Sequence, residues 1–283
     1  MLIGTILLTV YIAACAFLLI RQRQMIFKPT YDTLELPSNF NLKYEEVWFL
    51  GNSRSNSQDK LHGWFIPALK RDTEVGTILY FHGAGTNISN PIYLRDIAQL
   101  NQLGFSVFIF DYRGYGQSGG DFPSELSIYE DAANSLKYLT ENRKIAHQNI
   151  YLFGVSLGGA VAINLAVKEP TIAGLIVVSS FTSMQEEVLH LGYRIFPIAW
   201  ILNQRFDSLS KVAYLKIPIL IVHGTSDRSN PASMSQKLYD AAPHPKQLLL
   251  IPGFGHDNIS DMIESPQFRD GMKKYIEEVN ATK

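Results

Sequence analysis

The chain has 283 residues, 46% of them hydrophobic and 18% charged, a composition that can bury a sizeable core and excludes disorder as the main state. Its 25 lysines and arginines against 26 aspartates and glutamates give a net charge of -1, without the basic excess that phosphate backbones require, so no nucleic-acid partner is expected. One cysteine, Cys15, excludes an internal disulfide, a zinc ribbon and a redox dithiol, and no metal site is expected.

From Met1 to Ile20 no residue is charged, and at about 1.5 Å per helical residue this run spans about 30 Å, the thickness of a bilayer core. A cleaved signal peptide wants a basic start and a small-x-small site. Here the basic residues Arg21, Arg23 and Lys28 come after the run, which favours an uncleaved single-pass anchor (1–20) with the domain on the cytoplasmic side. Ile12-Ala-Ala-Cys15 has the shape of a lipoprotein site, but the basic start is missing and apolar residues follow the cysteine. Residues 21–43 are expected to be a juxtamembrane linker, followed by one domain over 44–283 whose core does not use the helix.

Within that domain Tyr44–Leu50 and Leu61–Ile66 are expected to be strands joined across the polar loop Gly51–Lys60. Six further β-branched or aromatic runs follow: Thr77–Phe81, Ser106–Phe110, Asn149–Phe153, Gly174–Ser179, Pro218–His223 and Lys246–Ile251. They alternate with helix-like stretches, which specifies an α/β fold with a mainly parallel sheet and helices on both faces. Ligands in such sheets bind at the C-terminal strand ends. The apolar stretch between Ser179 and Pro218 lacks a strand pattern and is expected to form a small helical cap, about 182–211.

The strand ends carry the chemistry. After the Asn149–Phe153 run comes Gly154-Val-Ser156-Leu-Gly158-Gly159 and then an apolar helix-like run, the pattern of a nucleophile elbow. A serine hydroxyl is a poor nucleophile without a base and an acid to orient that base. Asp227 in His223-Gly-Thr-Ser-Asp227 and His256 in Gly253-Phe-Gly-His256 supply them, in the order Ser, Asp, His and each just past a predicted strand. The backbone N–H groups of Ala84, in Phe81-His82-Gly83-Ala84-Gly85, and of Leu157 are the candidate oxyanion donors. His82 is expected to shape that loop rather than act as a base. Activity should rise through the ordinary imidazole value of about 6.5, since only neutral His256 can accept the serine proton.

Taken together these segments resemble the α/β-hydrolase superfamily, in its serine-hydrolase branch of monoglyceride lipases, serine aminopeptidase-like proteins and membrane-anchored α/β-hydrolase-domain thioesterases. The resemblance runs from about Gln24 to the C-terminus. Besides the segments above it rests on Asp111-Tyr-Arg-Gly-Tyr-Gly-Gln-Ser118, Phe181-Thr-Ser183 and Arg205-Phe-Asp-Ser-Leu209, and the segment Gln24-Met-Ile-Phe-Lys-Pro29 looks like the anchored members. It implies the α/β-hydrolase fold, a Ser156–Asp227–His256 triad and no cofactor. Arg228-Ser-Asn-Pro231 departs from the pattern, since relatives more often carry an apolar residue before the proline.

Gly114-Tyr-Gly116-Gln-Ser-Gly119 matches the dinucleotide-binding string, but Gly120-Asp-Phe-Pro123 intervenes before any helix, so no helix N-terminus meets a pyrophosphate. The expected function is a membrane-tied serine hydrolase of carboxylic esters or thioesters, of the acyl-lipid or acyl-protein class. Two alternatives stand beside it: a serine peptidase of the aminopeptidase-like type, and a non-catalytic binding scaffold.

Overall fold

The computed structural model describes residues 2–51 and 60–281. All eight predicted strands form: β1 (Glu45–Leu50), β2 (Lys60–Ile66), β3 (Gly76–Phe81), β4 (Phe105–Phe110), β5 (Ile150–Val155), β6 (Gly174–Val178), β7 (Ile219–Gly224) and β8 (Lys246–Ile251). They make one sheet in the order β1-β2-β4-β3-β5-β6-β7-β8. The first two pairings, β1 with β2 and β2 with β4, are antiparallel; every later one is parallel. Most of the loop expected between β1 and β2 (52–59) lies outside the described residues.

Burial explains the sequence pattern. Strands β3 to β7 are buried at every position, because helices cover both faces of a parallel sheet, so their sequences read as continuous apolar runs. Edge strand β1 is wetter and alternates. One face packs under α3 (Glu125–Lys137), α4 (Leu157–Lys168) and α8 (Ala232–Ala241), through residues such as Ile128, Val161 and Leu238. The other packs under α2 (Pro91–Gln102), α9 (Ile259–Glu264) and α10 (Pro266–Ala281), through Leu94, Met262 and Phe268. Between β6 and β7 lie three short helices, α5 (Met184–His190), α6 (Ile198–Ile201) and α7 (Ser208–Val212), in the stretch expected as a cap.

The N-terminal helix α1 runs from Leu2 to Ile26, so the boundary drawn at Ile20 falls inside it, and the expected independence of the core fails. Gln22 is buried, donates to the Ile201 carbonyl and accepts from the N–H groups of Asn203 and Gln204. Arg23 donates to the carbonyls of Phe122 and Pro123. Phe27 is buried in the same core cluster as α4. These side-chain contacts tie the segment to the domain, and it continues as helix to Ile26 where composition alone suggests a linker.

Candidate active site

Ser156 sits between β5 and α4 with φ 53° and ψ -119°, a conformation that costs a non-glycine residue of order 1–3 kcal/mol and lifts the side chain off the sheet. The glycines around it are required by close approach: a Cβ on Gly154 would lie 2.2 Å from the Gly158 oxygen, and one on Gly158 2.0 Å from the Phe81 oxygen. Ser156 Oγ is 3.2 Å from His256 Nε2. On the far side of the ring, His256 Nδ1 is 2.8 Å from Asp227 Oδ2. A carboxylate only accepts, so the Nδ1 proton faces Asp227 and Nε2 is left to accept the serine proton.

Asp227 follows β7 and is held by its own loop: the N–H groups of Ser229 and Asn230 donate to Oδ1 at 3.0 and 2.8 Å. His223 Nε2 lies 2.7 Å from the Asn230 carbonyl and 3.4 Å from Asp227 Oδ2, so it carries a proton, and Nδ1 accepts from Ser235 at 2.6 Å. Burial by itself would raise the Asp227 pKa, but hydrogen bonds from His223, His256 and Asn230 outweigh it and hold the carboxyl well below its ordinary range. For His256 burial acts to lower the pKa, and Asp227, with Glu187 and Asp257 adding to it, raises it above the ordinary imidazole value. The acidic limb of activity therefore belongs above about 6.5, and the expectation of an unperturbed imidazole is corrected upward.

The loop after β3 is rigid by construction. Gly83 N–H donates to the Tyr93 hydroxyl at 3.1 Å, and the Ala84 carbonyl accepts from Lys28 N–H at 3.0 Å and from the Tyr115 hydroxyl at 2.8 Å. Ala84 and Leu157 both line the cavity that holds Ser156 and His256. His82, expected to shape this loop, is fully buried, its Nδ1 lies 2.7 Å from the Gly83 carbonyl, and burial lowers its pKa to about 4.

That cavity has a volume of about 700 Å³, in the range of small-molecule sites. The cap contributes Met184, Val188, Leu191 and Leu202, and α1 contributes Leu18, Gln22, Met25 and Ile26. Two components were not foreseen. The wall from α1 has no local signal, because an apolar helix reads the same whether it faces lipid or a pocket. Glu187 on α5 is the other: its Oε2 is sealed from solvent with no hydrogen-bond partner among the described residues, and burial, opposed by His256 and reinforced by Asp227, pushes its pKa up to about 7.

Residues 72–213 match the family model described as serine aminopeptidase, S33. An uncharacterized protein of Mycobacterium tuberculosis is 32% identical over 219 residues, covering 77% of this chain and 75% of that one. The α/β-hydrolase domain-containing protein WAV2 of Arabidopsis thaliana is 28% identical over 255 residues, covering 82% and 79%. Among solved structures, the Pyrococcus furiosus esterase Pf2001 superposes with a TM-score of 0.69 at 21% identity, over 89% of this chain and 98% of that one; this is a likeness of fold. With its strand order and helix layers, the chain belongs to the α/β-hydrolase superfamily, in the family described as serine aminopeptidase, S33.

Proposed function

We propose that the protein is a membrane-anchored serine hydrolase that cleaves carboxylic esters or thioesters of acyl chains through an acyl-enzyme. The observation that carries this reading is the chain of contacts from Ser156 Oγ to His256 and on to Asp227, set at the floor of a largely apolar cavity. Ser156 attacks the carbonyl carbon while His256 Nε2 takes its proton. The N–H groups of Ala84 and Leu157 stabilise the oxyanion, and His256 returns the proton to the leaving alcohol or thiol. Water, deprotonated by the same histidine, then releases the acid. Asp227 keeps the imidazole in the required tautomer and balances its charge.

Helix α1 carries 25 residues of mean hydropathy 2.5 in its most apolar window, and we read it as the anchor, with Arg21, Arg23 and Lys28 keeping the domain cytoplasmic. One observation favours a peptidase instead: an ionised Glu187 in the cavity could hold a substrate ammonium group. The upward push on its pKa works against that use near neutrality. Full-length protein in detergent assayed on p-nitrophenyl esters, acyl-thioesters and aminoacyl anilides separates the two. Turnover of esters or thioesters far above anilides is the expected result, and the reverse order would establish the peptidase.

A further inference from the structure

Helix α1 lies along the cap rather than standing free of it. Ala14, Cys15, Leu18, Gln22 and Ile26, spaced by one, three or four residues, are less exposed than their neighbours on the helix, which marks a single face turned to the domain. The contact extends further up, to Tyr11, whose ring stacks on Phe196 with centroids 5.9 Å apart and whose hydroxyl donates to the Ile195 carbonyl at 2.9 Å. Tyr11 precedes Ile20, the end of the uncharged run, by nine residues, about 14 Å along a helix axis. A helix that crosses the bilayer with that run therefore carries the tip of the cap with it, well below the headgroups.

The tip has the chemistry of such a place. Ile195 is 74% exposed and Trp200 90%, large apolar surfaces that water would oppose and lipid accepts. The hydrogen bond from Tyr11 satisfies the one Ile195 backbone acceptor that hydrocarbon cannot. Arg194, next in sequence, turns its guanidinium back on the cap, where Nε donates to the Leu189 carbonyl at 3.3 Å. Leu18 and Met25 of α1 and Leu191 and Ile201 of the cap region line the same cavity as Ser156.

We propose that Ile195, Phe196 and Trp200 lie in the hydrocarbon layer of the bilayer that α1 crosses, and that an acyl chain already dissolved in that layer reaches Ser156 between α1 and the cap. Resting on the acyl-hydrolase reading above, this makes the substrate class bilayer-resident rather than water-soluble acyl compounds.

The test uses full-length Ser156→Ala protein, which cannot turn over, in phosphatidylcholine vesicles whose chains are brominated near mid-length. Tryptophan emission is compared with the same protein carrying Trp200→Phe. The emission that Trp200 contributes should be quenched at least twofold by the bromines and hardly at all by iodide in the buffer; quenching by iodide and not by bromine overturns the proposal. Because no catalysis is involved, this readout is independent of the hydrolase reading, which would fail separately if Ser156 took up no fluorophosphonate. In the active protein, Ile195→Glu with Trp200→Glu should lower kcat/KM on a long-chain ester in vesicles at least tenfold relative to a short soluble ester. An unchanged ratio overturns the proposal as well.

Discussion

At the scale of single residues the account rests on which groups can hold a proton and where. Replacing Ser156 or His256 by alanine should lower turnover by about four to six orders of magnitude, because the two act as one unit; retention of more than a few per cent of activity by either variant would remove them from the mechanism. Glu187 gives a subtler test. In its ionised form it helps raise the His256 pKa, and only neutral His256 accepts the serine proton, so Glu187→Gln should move the acidic midpoint of kcat/KM to lower pH. An unmoved midpoint would show that the carboxyl is electrically silent at the histidine. The serine, aspartate and histidine were legible in the sequence because each follows an apolar run that becomes a strand. Glu187 was not, because its position depends on how the cap folds back over the sheet.

At the scale of elements, the strands announced themselves through continuous apolar runs, and the helices through what lay between. What the pattern hid was the network between elements. Arg113, in the turn after β4, donates from its backbone N–H and its guanidinium to Asp131 on α3 at 2.6 to 3.2 Å, and Asp131 is fully buried. Removing one partner of such a pair leaves an unpaired buried charge, so Arg113→Ala should cost about 3–5 kcal/mol. Burial already pushes Asp131 up to about 6 against the pull of Arg113, and proton uptake brings the expected loss toward the low end. The shift of the urea midpoint measures it; a loss under about 1 kcal/mol would mean that the pair only fills space. In the sequence Arg113 stands just before the string that mimics a dinucleotide loop, and its partner lies 18 residues away, beyond any local pattern.

At the scale of the whole molecule, helix α1 and the α/β-hydrolase domain are one structure. The end of the uncharged run separates them at Ile20, yet Leu18, Gln22, Met25 and Ile26 wall the cavity and Lys28 pins the Ala84 loop. Deleting residues 1–16 should therefore spare turnover of a short soluble ester in detergent, whereas deleting 1–23 should lower it by about ten- to a hundredfold through misplacement of the oxyanion loop and loss of the cavity wall. Equal rates for the two truncations would show the helix to be a tether alone. The central claim, an activated Ser156 that carries the acyl group, is tested most directly by treating full-length protein with a fluorophosphonate at neutral pH and mapping the adduct by peptide mass. A single adduct on Ser156, abolished in His256→Ala and in heat-unfolded protein, is the predicted result. No adduct, or one on another residue with Ser156 unmodified, would contradict it.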